Sequence, residues 1–170
     1  MATTRTSNSR TVGWLFVASG VLYLLALLLG AVGHVGKLGT WLEFFAYALL
    51  AVAFVILFLW RSLDILLRVA LIVAAVGWAL VALNELPGVN IIPFLGEILA
   101  LAGTLVSGIV IFVRHIFTRR AAAAFLVLAI IAALDLLILL TGVLGVLATI
   151  LSILFGVILV VVGVLIARKY

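Results

Sequence analysis

Six stretches of about 20 mostly apolar residues, separated by short polar segments, dominate this sequence. An α-helix rises about 1.5 Å per residue, so a helix of about 20 apolar residues crosses a hydrocarbon core of ~30 Å. The chain is 69% hydrophobic and only 9% charged, whereas soluble domains carry about a quarter charged residues. We therefore predict an all-α, polytopic integral membrane protein. A polar cytoplasmic tail over residues 1–10 precedes one six-helix transmembrane domain over residues 11–168. The spans are predicted at residues 12–33, 41–60, 69–86, 91–113, 121–141 and 144–167.

The last two apolar runs are almost continuous, and the chain must reverse between them. A single helix over residues 121–167 would be about 70 Å long, more than twice the thickness of the hydrocarbon core. Thr141, Gly142 and Gly145 are the residues that favour a turn. The six helices are then expected to form three hairpins, and an internal threefold repeat of hairpins is left open.

The basic segment from Arg114 to Arg120 predicts the orientation of the chain. Arginine is costly in hydrocarbon, and basic residues accumulate on the cytoplasmic side of membranes. With six spans and this segment inside, nine of the ten basic residues lie inside and only Lys37 lies outside. We predict an inner (plasma) membrane protein with both termini cytoplasmic. The net charge of +5 is spread between apolar runs, so we expect no binding of nucleic acid.

Enzymatic chemistry finds no support in the sequence. The chain has no cysteine, no Gly-x-Ser-x-Gly turn, no His-Glu-x-x-His helix and no pair of intramembrane aspartates. His34 and His115 are predicted on opposite faces of the membrane, so they are not expected to share a metal ion. We therefore expect no catalytic residues, no metal site and no cofactor.

Four of the five acidic residues are predicted at a similar depth, in the outer third of the membrane. Counted from the nearest basic segment, Glu43, Glu85 and Glu97 lie about 25 Å across, and Asp135 about 22 Å. An intramembrane acid is a functional candidate by default, so we predict a proton or cation site among these four, with Asp135 as the strongest candidate.

Each acid also has a structural interpretation. Glu43 follows Thr40 with the spacing of a helix capping box, and Glu85 is close enough to the external interface to be solvated. Protonated Asp135 would find hydrogen-bonding partners in Thr104, Ser107 or Ser152. Tyr23 and Tyr47 either bond these acids or serve aromatic packing.

Small residues recur at helical spacing and predict close helix packing, because lipid provides no hydrophobic drive between helices. Trp78 lies too deep for an interfacial anchor and is expected to pack between helices. For the small residues, the alternative to packing within one chain is an interface between two copies of the chain. The predicted packing residues are Gly96, Ala100, Thr104 and Gly108 in the fourth span and Ala148, Ser152 and Gly156 in the sixth.

A Gly-x6-Gly-Val pattern occurs in the first span, from Gly13 to Val21, and again in the last, from Gly156 to Val164. This pattern resembles the glycine-containing helices of the HdeD-like family of small bacterial membrane proteins. The resemblance implies six spans in three hairpins and an association with acid stress, without established chemistry.

Two functions follow as hypotheses. The first is a non-enzymatic, HdeD-like, stress-associated membrane protein that acts through helix packing or partner interaction. The alternative is a proton- or cation-coupled transporter or channel subunit that uses the outer carboxyl groups. The lipid bilayer is the expected partner in both, and a homo-oligomer or a larger membrane complex is compatible with either.

Overall fold

The computed structural model describes residues 2–31, 36–59, 64–89, 93–141 and 146–168. Predictions that fall on His34, on Arg61, on the turn residues Gly142 and Gly145 and on Lys169 concern residues outside this description. The described chain forms six α-helices, which confirms the predicted fold class. They are α1 Ala2–Ala31, α2 Lys37–Phe58, α3 Ile65–Asn84, α4 Pro93–Val113, α5 Arg119–Thr141 and α6 Val146–Ala167.

All six helices are long and apolar enough to cross a membrane. Large apolar side chains are exposed along the outside of the bundle, for example Trp14, Leu28 and Leu137. Exposed apolar surface of this extent is costly in water but matches lipid acyl chains. The protein is therefore a multi-pass integral membrane protein.

Four helices, α1, α2, α3 and α5, begin earlier than the sequence predicted. Helix α1 starts at Ala2 and so includes the polar N-terminal segment, ahead of the apolar span that begins at Ser9. Helix α2 starts at Lys37 after the extended residue Gly36, and no side chain caps it. The predicted capping box is therefore wrong, because Thr40 already lies inside the helix and Glu43 does not cap it.

The helices form a closed ring in chain order. Each helix packs against its neighbours in sequence, and α1 closes the ring by packing against α6. Short connections favour this arrangement, because consecutive helices must run antiparallel to each other. Gly13, near the start of α1, lies against Ala167 at the end of α6, so these two helix ends share one end of the bundle.

Glycine makes three of the ring's contacts, α1–α6, α3–α4 and α4–α5, unusually close. A Cβ atom on Gly20 of α1 would lie 2.8 Å from the carbonyl oxygen of Gly156 of α6. On the α3–α4 side, a Cβ on Gly77 would overlap the backbone of Ala100, and one on Gly103 would overlap Ala74. Backbones approach this closely only where side chains are absent or small.

The two ends of the ring differ in charge. The arginine-rich end, as far as the described side chains define it, carries Arg10, Arg68, Arg114, Arg119, Arg120 and Arg168. There Arg114 Nη2 lies 3.1 Å from Asp64 Oδ2, so Asp64 pairs with the end of α4. The opposite, acidic end contains Glu43, Glu85, Glu97 and Asp135 near the ends of four different helices.

The interior of the ring is filled with aromatic side chains on the arginine-rich half. Phe16 of α1 packs edge-on against Phe54 of α2 and Phe125 of α5, with ring centroids 5.7 and 5.5 Å apart. Phe117 stacks on Phe125 at 5.5 Å. All four rings are buried, so this phenylalanine cluster closes the interior towards the arginines.

Candidate functional site

A cavity of about 300 Å³ occupies the interior of the ring on its acidic half. Among its lining residues are Glu85 at the end of α3, Glu97 in the first turns of α4 and Asp135 in the last turns of α5. The structure thus brings together three of the four acids that the sequence placed at one depth. No lysine or arginine is among the described residues that line the cavity.

Glu43 lies beside the cavity without lining it. Its carboxyl group is hydrogen-bonded to that of Glu85, which links α2 to the end of α3. A hydrogen bond between two carboxyl groups requires a proton on one of them. Burial, and then the neighbouring Glu43 charge, raise the pKa of Glu85 from 4.5 to about 7. Glu85 therefore keeps its proton up to near-neutral pH.

Four aromatic rings from four helices form a circuit at the base of the cavity. Tyr47 stacks on Trp78 with centroids 5.5 Å apart, and Trp78 lies 5.5 Å from Phe155. Tyr23 completes the circuit, 6.0 Å from Phe155 and 5.7 Å from Tyr47. All four line the cavity. We call this set, Tyr23, Tyr47, Trp78 and Phe155, the aromatic floor.

Hydrogen bonds hold the aromatic floor in place. The indole N–H of Trp78 donates to Thr104 Oγ1 at 3.0 Å, in a buried contact between α3 and α4. Tyr23 hydrogen-bonds with Ser152 of α6 and with Tyr47 of α2. Of the two roles left open by the sequence, the tyrosines take the packing role: their rings pack, and their hydroxyl groups bond each other and Ser152 beside the acids.

The three hydroxyl groups proposed as partners of Asp135 are placed otherwise. Thr104 accepts the bond from Trp78, and Ser152 bonds Tyr23. Ser107 is fully buried, and its Oγ has no hydrogen-bond partner among the described residues. Among the described contacts, none of the three hydroxyl groups is hydrogen-bonded to Asp135, which lines the cavity.

The predicted packing residues occupy two kinds of position. In α4, Gly96 and Ala100 lie against α3, while Gly108 lies against Phe125 and Ala129 of α5. In α6, Gly156 packs against Tyr23 and Leu24 of α1. Ala148 and Ser152, in contrast, line the cavity. These small residues are thus used inside one chain, between its own helices.

The two glycine patterns behind the family resemblance pack against each other. Gly13 meets Gly163, and Gly20 meets Gly156, along the α1–α6 contact. Phe155 was missed at the sequence level, although it follows the predicted residue Ser152 by three positions and so lies on the same side of α6.

Comparisons of the chain with family models, with curated proteins and with solved structures found no match.

Proposed function

We propose that this membrane protein is a proton- or cation-coupled transporter or channel subunit and that the acidic cavity is its binding site. The observation that carries the proposal is the convergence of Glu85, Glu97 and Asp135, from three helices, on one cavity. Depth alone did not require this convergence. At the same depth, each of these side chains could instead have faced a different helix contact or reached the external interface.

The cavity's electrostatics favour a positively charged occupant. An ionised carboxylate in a low-dielectric site is expensive unless a proton or a cation compensates it. The described lining offers no basic side chain, and Lys37 at the same end lines a separate surface pocket with Thr40 and Pro87. Compensation for Asp135 and Glu97 must then come from solution.

The position of the phenylalanine cluster defines one conformation of such a transporter. The cavity lies on the acidic half of the ring, and Phe16, Phe54 and Phe125 fill the half towards the arginines. Passage through the protein would require these rings to move. The α1–α6 and α3–α4 contacts are lined by glycine and other small residues, and helices can slide along such contacts.

We assign the acidic end to the outside of the cell and both termini to the cytoplasm, because six described arginines lie at the other end. The chain lacks cysteine, so single substitutions provide clean topology labels. A membrane-impermeant maleimide should label Val89→Cys from outside intact cells and should reach Thr118→Cys only after lysis. The reverse pattern would invert the assignment.

Proton flux into liposomes containing a pH-sensitive dye tests the function. The wild-type protein should carry a flux that Asp135→Asn abolishes. Asp64→Asn is a matched control, because it removes an acid at the opposite end of the bundle, and it should keep the flux. An unchanged flux in Asp135→Asn would remove this residue from the mechanism, and folded protein that carries no flux of protons or of any other cation would contradict the transport proposal.

A second candidate is the non-enzymatic, HdeD-like function through partner interaction. An apolar groove of about 580 Å³ between α2 and α3 favours it, because alanines at positions 48, 51, 75, 79 and 82 would admit a partner's transmembrane helix. Purification from native membranes should then yield a stoichiometric partner. Isolation of the chain alone would count against this candidate.

A further inference from the structure

We propose that the occupant of the cavity is a small monovalent organic cation, with an ammonium centre seated on the aromatic floor and its charge balanced by Asp135 and Glu97. This inference rests on the proposed function and deepens it by naming the class of substrate. It adds a claim about the uncharged part of the site, which a proton or a bare metal ion would not use.

The aromatic floor provides the first argument. The faces of Trp and Tyr rings attract ammonium groups, most strongly where water is excluded. Trp78 is 5% exposed and already satisfies its N–H through Thr104. Its contribution to the cavity is therefore the ring itself, beside the rings of Tyr47 and Phe155.

The spacing of the acids provides the second argument. Calcium takes 6–8 oxygen ligands, and metal sites in general need several groups converging on one point. Among the described residues, no three His, Asp or Glu side chains are close enough together to hold a metal ion. Glu85, Glu97 and Asp135 instead surround a cavity of about 300 Å³. A body larger than a bare ion is needed to touch them.

The size and polarity of the cavity provide the third argument. Ligand cavities span about 300–1,000 Å³, so this one lies at the lower limit and suits a small molecule. Its lining combines the acids with the apolar and aromatic side chains of Phe155, Trp78, Val81 and Leu101. A molecule with a positive centre and an apolar surface matches both parts, whereas an anion matches neither.

Choline is a suitable probe, with its uncharged isostere, in which a tert-butyl group replaces the trimethylammonium group, as the matched ligand control. Isothermal titration of the full chain in detergent should show saturable binding of choline and none of the isostere. Phe155→Leu, which removes a ring but keeps an apolar side chain, should weaken choline binding about 2- to 30-fold. Asp135→Asn should weaken it more than about 10-fold.

Two control variants separate the site from general effects. Trp41→Leu removes an exposed ring at the same end, outside the cavity lining, and Asp64→Asn removes a distant acid. Both should bind choline like the wild type. If Phe155→Leu does not fold, Tyr23→Leu tests the same floor from α1.

The outcomes distinguish this inference from the proposed function. Equal binding of choline and its isostere, or binding that Phe155→Leu and Tyr23→Leu leave unchanged, would overturn the organic-cation assignment. Binding or flux of protons or sodium alone, still sensitive to Asp135→Asn, would overturn it too while leaving the proposed function standing. Absence of any cation binding would overturn both.

Discussion

Gly13 of α1 and Gly163 of α6 pack backbone against backbone: a Cβ atom on Gly13 would lie 2.7 Å from the carbonyl oxygen of Gly163. This contact closes the ring, because α1 and α6 are the first and last helices of the chain. It also explains why both patterns contain a second glycine seven residues later. Seven residues are about two helical turns, so the spacing keeps both glycines on one face.

Gly13→Ala should destabilise the protein by about 1–3 kcal/mol, because the new methyl group would push against backbone atoms that cannot move independently. The matched control is Gly30→Ala in the same helix, where nothing lies within 4 Å of the added Cβ. That substitution should be neutral or slightly stabilising. Thermal unfolding in detergent measures both, and equal midpoints for the two variants would show that the α1–α6 contact is not tight.

Thr104→Val should cost about 1–3 kcal/mol, because the buried indole N–H of Trp78 would lose its acceptor without gaining water. Ser107→Ala on the same helix is the control. Its hydroxyl group is buried without a partner among the described residues, so its removal should be neutral or stabilising. A larger loss in Ser107→Ala than in Thr104→Val, measured by the same unfolding assay, would contradict this assignment of the two hydroxyls.

The ion pair between Arg114 and Asp64 should contribute little to stability, because the side chains are 64% and 37% exposed. Exposed pairs are screened by water and salt, and typically contribute about 0–1 kcal/mol. Asp64→Asn should therefore lower the unfolding midpoint by no more than a few degrees. A loss comparable to that of Gly13→Ala would show that the pair is a structural tie between α3 and α4.

Glu85 gives the protein a stability that depends on pH. Its pKa is raised from 4.5 to about 7, first by burial and then by Glu43 and Glu97. The folded state therefore binds more protons than the unfolded state between these values. This contribution is fully present below about pH 4.5 and is lost as the pH rises through about 7.

The unfolding midpoint of the wild type should fall across this window, and Glu85→Gln should reduce the fall. Glu43, Glu97 and Tyr47 are the titratable groups facing Glu85, so Glu43→Gln should alter the same slope. Asp64→Asn should leave it intact. A slope that is identical in the wild type and in Glu85→Gln would exclude Glu85 as its source.

Hydropathy and helical rise were enough to predict the number of helices and the position of the four acids near one end of the bundle. Both depend on distance along the chain, which a helix converts directly into distance across the membrane. Asp135 and Glu97 could therefore be placed at one level from sequence. The packing of Trp78 between helices was also predicted, and the structure confirms it.

Direction around each helix axis was harder to predict. In lipid, an apolar face towards neighbours and an apolar face towards acyl chains have similar composition, so periodicity says little about which side is inside. Glu43 shows the consequence. Its spacing from Thr40 matched a cap, but the helix begins earlier, and the side chain meets Glu85 instead. Such contacts depend on which helices are neighbours in the closed ring, and only the structure shows this arrangement.

The most direct test of the central claim is the binding of a cation to the triple variant Glu85→Gln, Glu97→Gln, Asp135→Asn, measured by titration at pH 8 with choline and sodium as separate ligands. This pH lies above the pKa of about 7 of Glu85, so competition from protons at that carboxyl group is weak. We predict saturable binding of at least one of these cations to the wild type and to Asp64→Asn, and none to the triple variant. Equal binding by the wild type and a folded triple variant would contradict the assignment of the acidic cavity as the cation site.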